Sequence, residues 1–179
     1  MKKILVVGSS CTGKTSTARL IEKELGIPFT DMDDLFWKPN WGESSEEELR
    51  LKMTKATDAE SWVMSGNFRR TNDITWARAD AIVWLNLPFP VVLRQAIYRT
   101  LKRILTKESI CNGNRETFSK VFFSRSSILM WVFRTYPTMF ERYKEVQKKP
   151  LYKTYKFFEF HDHYEVRNWI NSLKEQAKV

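Results

Sequence analysis

The sequence predicts an α/β domain with a mainly parallel sheet, and three observations carry that expectation. Short apolar runs rich in β-branched residues alternate with segments of helical periodicity; the first run ends in a glycine-rich turn that opens a helix; and a chain of 179 residues favours one compact domain. At 42% hydrophobic and 28% charged residues, the composition excludes intrinsic disorder.

Taken in order, Lys2–Val7 is an apolar run that begins charged and ends at Gly8, the pattern of a buried parallel strand. From Lys14 to Leu25 the residues Ala18, Leu20, Ile21 and Leu25 recur at helical spacing, and Gly26-Ile27-Pro28 closes the element. Ile27–Asp31 reads as a second strand running into the acidic stretch Asp31-Met32-Asp33-Asp34. A helix over about 45–60 follows, with Ser44 or Ser45 as N-cap ahead of Glu47 or Glu48. Ser61–Ser65 and Ala81–Leu87 are two further buried strands, the second stopped by Pro88, and a helix to about Leu105 carries the stripe Leu93, Ile97, Leu101 and Ile104. Residues 106–115 read as loop around the turn signal Asn112-Gly113-Asn114. A helical stripe then runs Phe118, Phe122, Leu129, Val132, Tyr136, Phe140 and Tyr143, with Pro137 expected to end or kink it. Thr154–Phe160 is an alternating aromatic strand, and Asp162 with Glu165 caps a last helix to about Glu175.

Ligands of such sheets bind outside the carboxyl ends of the strands, which places Gly8, Asp31, Ser65 and Asn86 at one rim. There, Gly8-Ser9-Ser10-Cys11-Thr12-Gly13-Lys14-Thr15, continuing into Ser16, is a complete G-x-x-x-x-G-K-[ST] between strand and helix. Its glycines let backbone N–H groups turn inward around phosphate oxygens, and the helix start adds its positive dipole end. Lys14 is expected to bridge the β- and γ-phosphates of ATP, and the Thr15 hydroxyl to ligate Mg²⁺.

Asp31 and Asp33 leave the same side of an extended segment, so one can hold the metal while the other receives the phosphoryl acceptor. Capping of the next helix is the competing role for Asp33 and Asp34. Gly66, Asn67, Arg69 and Arg70 form a glycine turn with two arginines suited to an anionic acceptor, against the plainer reading of a solvated loop. Trp37 and Trp41 either line an acceptor pocket or pack locally.

Charge is unevenly distributed. Residues 1–89 carry 12 basic and 13 acidic groups, residues 90–156 carry 15 and 4, and residues 157–179 carry 3 and 4, so a surplus of +11 sits in the middle stretch. Such a cluster points to an anionic partner: a polyphosphate ligand, nucleic acid or a membrane surface. Within it, Arg99 and Arg103 share one helix face, Arg99 placed to stack on adenine and Arg103 to reach phosphates. Arg125 occupies an apolar stripe position, which suits a lid arginine over the phosphates or a buried ion pair, within a helical basic lid region of about 99–149. His161, Asp162 and His163 follow the last strand, where an adenine-binding loop would lie. No apolar run approaches about 18 residues, the start is no signal peptide, and Cys11 and Cys111 form no framework, so a cytoplasmic protein with free thiols is expected.

Together these residues resemble the P-loop kinase superfamily of adenylate and shikimate kinases. GSSCTGKT at 8–15, GIPFTDMDDLFW at 26–37, WVMSGNF at 62–68, ADAIVWLNLP ending at Pro88, RQAIYRTLKR at 94–103 and HDHYEVRNWI after the last strand are more narrowly similar to the DNA topology modulation proteins of the FlaR type, also called adenylate kinase-like proteins. The resemblance implies a P-loop three-layer sandwich with a five-stranded parallel sheet of order 2-3-1-4-5, ATP with Mg²⁺ as donor and a mobile arginine-bearing lid. Two positions depart from it: Ser65 stands where such kinases often carry aspartate, as does Asn86 in the fourth strand, which shifts metal handling toward Thr15 and Asp31. The expected function is a small-molecule kinase, with a nucleoside or nucleotide acceptor favoured over a carboxylic acid or sugar. Nucleotide-dependent DNA binding is the alternative, and a nucleotide-binding regulator without catalysis the third; oligomeric state is left open.

Overall fold

The computed structural model describes residues 1–115, 128–148 and 155–176. Five strands form a parallel sheet: β1 (Lys3–Gly8), β2 (Phe29–Asp31), β3 (Trp62–Ser65), β4 (Ala81–Leu85) and β5 (Lys156–Phe160). Counted over this sheet alone, the spatial order is 2-3-1-4-5. Two antiparallel ribbons lie outside it, Trp37–Lys38 with Gly42–Glu43 and Ser109–Ile110 with Asn114–Arg115. The helices are α1 (Lys14–Leu25), α2 (Met32–Phe36), α3 (Glu46–Thr57), α4 (Asn72–Arg78), α5 (Phe89–Thr106), α6 (Ile128–Lys148) and α7 (His163–Gln176).

Alternation along β1 divides the core into two layers. Leu5 and Val7 face a cluster with Trp62, Met64, Trp76, Trp84 and Tyr143, covered by α3, α4 and α6. Ile4 and Val6 face Ala18, Ile21, Val166 and Ile170 of α1 and α7. A third cluster joins Cys11 of the first loop to Leu87, Val92, Ala96 and Val132, seating α5 and α6 against that loop. The three-layer α/β architecture is therefore present. No helix among the described residues is long and apolar enough to cross a membrane.

Several local expectations are corrected. β2 begins at Phe29 rather than Ile27, and the acidic stretch after it is the helix α2, because the Asp31 side chain accepts the Asp33 N–H and caps it. Of the two candidate caps for α3, Ser45 does the work, accepting the Glu48 N–H at 3.1 Å. The turn after β3 continues into α4, which α3 holds through the Arg50–Asp73 ion pair. In α5 the buried face is Val92, Ala96 and Thr100, one residue out of phase with the stripe read from sequence, and Ile97 and Leu101 each stay 41% exposed. Small residues on the inner face let the α5 backbone approach Cys11 closely. Pro137 does not end α6: it lies on the exposed face, where water can meet the carbonyl it leaves unpaired, while Val132, Tyr136, Phe140 and Tyr143 anchor both halves. The part of the aromatic stripe over 116–127, with Phe118, Phe122 and Arg125, lies outside the described residues.

Candidate functional site

β1 delivers the chain to the rim at Gly8, and Ser9–Gly13 turn back into α1. Cys11 and Gly13 adopt φ of +66° and +86°, both in the left-handed region. At Gly13 a side chain is also excluded by space, since a Cβ would stand 2.8 Å from the His163 ring. The loop is braced from within: the Thr12 hydroxyl donates to the Ser9 carbonyl at 2.9 Å, as does Lys14 Nζ at 2.8 Å. Burial holds the Lys14 ammonium below its ordinary pKa, with Asp33, the Cys11 thiol and Asp31 working in the opposite direction and Arg99 reinforcing the depression.

Thr15 and Asp31, sixteen residues apart, meet directly: Thr15 Oγ1 donates to Asp31 Oδ2 at 2.8 Å. Asp31 and Ser65 are register partners in neighbouring parallel strands, so the two side chains leave the same face of the sheet. The Ser65 hydroxyl is 1% exposed and has no hydrogen-bond partner. Asp33 opens toward solvent, yet the protein crowded around its carboxyl raises its pKa, followed by the neighbouring Asp31; Lys14 and Arg99 oppose the shift.

Arg99 comes from the inner side of α5, where its Nε is buried without a partner. A cavity of about 660 Å³ opens beside it between the start of α1, α5 and the start of α7, lined by Gly13, Gln95, Tyr98, Arg99, Arg103 and His163 among others. That volume falls in the ordinary range for small-ligand sites. Ser16 faces the same cavity, and Gln95 lies 3.1 Å from His163 Nε2. Asp162 Oδ1 accepts the Tyr164 and Glu165 N–H groups and caps the helix as expected from sequence, while Glu165 takes the N–H of His161, one residue ahead of the cap.

The residues after β3 divide. Gly66, with φ of +151°, packs on Met32, whose Cβ and Sδ lie 2.6 Å from where a Cβ would stand. The Asn67 side chain is engaged within the fold rather than presented to a ligand: Oδ1 accepts the Gly8 N–H at 3.3 Å and the Tyr143 hydroxyl at 2.7 Å, and Nδ2 donates to the Gly8 carbonyl. Arg69 and Arg70 are exposed on a 3₁₀ turn, and among the described residues neither side chain has an ion-pair partner. Trp37 and Trp41 pack edge to face at 5.4 Å. Asn86 donates to Glu159 Oε1 at 2.6 Å. Arg125 lies outside the described residues.

Sequence reasoning missed the Asn67–Tyr143 pair and the contacts of Asn112 and Asn114 with the segment 34–41, which span more than seventy residues. The only signal was the Asn-Gly-Asn turn itself.

No family model matches the chain. A shikimate kinase of Thermodesulfovibrio yellowstonii is 44% identical over 60 residues, covering 34% of this chain and 35% of that protein. The chain thus matches about a third of that relative's length. Over nearly the whole chain the structure resembles a shikimate kinase from Bacteroides thetaiotaomicron, with TM-score 0.57, 16% identity and 98% of each chain covered. It also resembles a deoxyadenosine kinase from M. mycoides solved with dCMP and dCDP, with TM-score 0.51, 12% identity and 98% of each chain covered. The motif at 8–15, the parallel sheet and these likenesses agree that the chain has a shikimate kinase-like P-loop kinase fold.

Proposed function

We propose that the protein is an ATP-dependent phosphotransferase acting on a small hydroxyl-bearing acceptor, a nucleoside or nucleotide, and that it is akin to the adenylate kinase-like topology modulation proteins. One observation carries the reading: the phosphate-loop lysine, a hydroxyl–carboxylate pair and a second carboxylate of raised pKa meet at one rim, with the Thr15–Asp31 contact at 2.8 Å at its centre. The Thr15 hydroxyl, the Asp31 carboxylate and the unpartnered Ser65 hydroxyl are hard oxygen groups that fit Mg²⁺, which typically takes one or two carboxylates and completes its shell with phosphates and water. When bound, the ion would neutralise charge on the β- and γ-phosphates.

Lys14, released from the Ser9 carbonyl, extends to the γ-phosphate. Asp33 takes the proton from the acceptor hydroxyl as its oxygen bonds to the γ-phosphorus, the bond to the bridging oxygen breaks and ADP leaves. A raised pKa makes that carboxylate a better base. Arg99, with its unpartnered Nε, and Arg103 face the cavity on the donor side and balance the charge of the transferring group, Arg99 also stacking on the base. Arg69 and Arg70 suit an acceptor phosphate, which supports the nucleotide class.

The test is an ATP-consumption screen over nucleosides, nucleoside monophosphates, sugars and hydroxy acids, with Lys14→Ala as control. Turnover with nucleosides or nucleoside monophosphates that Lys14→Ala abolishes is expected; turnover confined to sugars or hydroxy acids would overturn the acceptor class, and ATP binding without transfer to any acceptor would defeat the reading in favour of a regulator. Nucleotide-dependent DNA binding, suggested by the +11 surplus, predicts instead retention on DNA that falls steeply between about 50 and 200 mM salt.

A further inference from the structure

Two short turns, far apart in sequence, hold each other. One is the ribbon turn Pro39–Trp41, with Asn40 and Trp41 both at φ +60°. The other is Cys111–Gly113, with φ of +41°, +62° and +88°. Four non-glycine residues in the left-handed region, one of them a tryptophan, are a costly conformation that persists only where surrounding contacts impose it. Those contacts come from two asparagines. Asn112 Nδ2 donates to the Asp34 and Trp37 carbonyls, each at 2.7 Å. Asn114, buried, donates to the Lys38 carbonyl at 2.9 Å and accepts the Trp41 N–H at 2.7 Å.

The second turn is in turn fixed to α5. Lys107 closes that helix in a left-handed conformation, and its N–H and that of Glu108 both donate to the Arg103 carbonyl. Only Lys107 and Glu108 separate α5 from the ribbon. Cys111 is close enough to Asp33, Asp34, Asp31 and Arg103 for all four to act on its thiol, which burial and the carboxylates push up to about 12.

We infer that Asn112 and Asn114 are positioning residues that tie the acceptor-side segment 34–41 to the C-terminal end of α5, so that nucleotide engagement by the arginines of α5 is transmitted to the acceptor side. The inference rests on the phosphotransferase reading. A side chain that satisfies backbone groups on a distant turn fixes the placement of that turn, and here the fixed turn carries Trp37 and Trp41 and follows directly on Asp33. In this arrangement the donor and acceptor sides are joined by a short strut instead of meeting only when a ligand bridges them.

Hydrogen exchange of the full-length chain, with and without the magnesium complex of AMPPNP, tests this in wild type, Asn112→Ala and Asn114→Ala. In wild type the nucleotide should slow exchange severalfold both at 8–15 and at 37–43. Each variant should keep the protection at 8–15 and lose that at 37–43, comparing the ratio with and without nucleotide so that simple loosening cancels. Should Asn114→Ala fail to fold, the exposed Asn112 carries the test, with Asn112→Gln restoring part of the effect. Protection at 37–43 that persists in the variants, or never appears in wild type while 8–15 is protected, overturns the strut. Absence of protection at 8–15 in wild type overturns the phosphotransferase reading itself.

Discussion

Asn67→Ala separates a structural clamp from an acceptor contact. The Asn67 amide extends the pairing of β1 and β3 by one rung, taking the N–H and the carbonyl of Gly8 beyond the Gly66–Val6 backbone bond, and it accepts the hydroxyl of Tyr143, which is 1% exposed. Truncation leaves three polar groups without partners. A buried donor or acceptor stripped of its partner costs about 1–3 kcal/mol, and water at the rim relieves part of this at Gly8, so a total near 3 kcal/mol is expected. For a chain of this size that lowers Tm by roughly 6–12 °C. Tyr143→Phe removes one donor and leaves Asn67 paired with Gly8, costing about 1 kcal/mol. In the double variant no hydroxyl is orphaned, so the two losses should fall short of additivity by about 1 kcal/mol. Because Gly8 opens the phosphate loop, ATP affinity measured by calorimetry should weaken in Asn67→Ala as well. A melting temperature within a degree or two of wild type, combined with a raised KM for the acceptor alone, would refute the clamp and return Asn67 to the acceptor site.

Asp33→Asn should abolish transfer and at the same time raise Tm at neutral pH. The folded pKa of Asp33 is raised, so its ionisation opposes folding from the ordinary value of 3.8 upward and does so in full above the folded value; the advantage of the variant should therefore shrink as the pH drops below the folded value, and melting curves across pH check the sign. In wild type the same group should give kcat/KM an acid limb with its inflection above the ordinary aspartate value of 3.8, read from a pH–rate profile. Gly66→Ala combines a φ of +151° with Met32 atoms 2.6 Å from the new Cβ, and should cost roughly 2–5 kcal/mol in denaturant unfolding. Arg99→Ala should weaken ATP binding about 10- to 100-fold without lowering Tm, since the guanidinium lost has an unsatisfied Nε in the folded chain.

What was legible in the sequence is what depends on local pattern. The phosphate loop works through backbone geometry, so its glycines, Lys14 and Thr15 announce it, and the apolar runs announce the sheet. Asp31 shows where this fails: one residue both ends β2 and caps α2, and a strand end and an N-cap draw on the same residue type. The phase of α5 was misread for a physical reason too. Two apolar stripes one residue apart differ by a single step around the helix, and the bulkier stripe gave the stronger signal, while close approach to Cys11 selects Ala96 and Thr100. Pairings such as Asn67 with Tyr143 leave no trace in local pattern, because their partners are 76 residues apart.

Charge counting along the chain is subject to the same limit. The surplus in 90–156 pointed to one anionic partner, but the structure divides those groups among different tasks. Arg99, Lys102 and Arg103 line the cavity beside the phosphate loop. Arg142 lies 5.9 Å from the Tyr143 ring centre and Lys144 4.9 Å from that of Phe140, so their charges are spent partly on the aromatic face of α6. Of these two groups among the described residues, the first converges with Gly13 on a single concave site, and a patch that converges in space discriminates a compact polyphosphate from an extended polyanion, whereas a tally along the sequence cannot. Among the described residues it is therefore the three α5 cations gathered at one cavity, rather than the total of +11, that suit a compact polyphosphate.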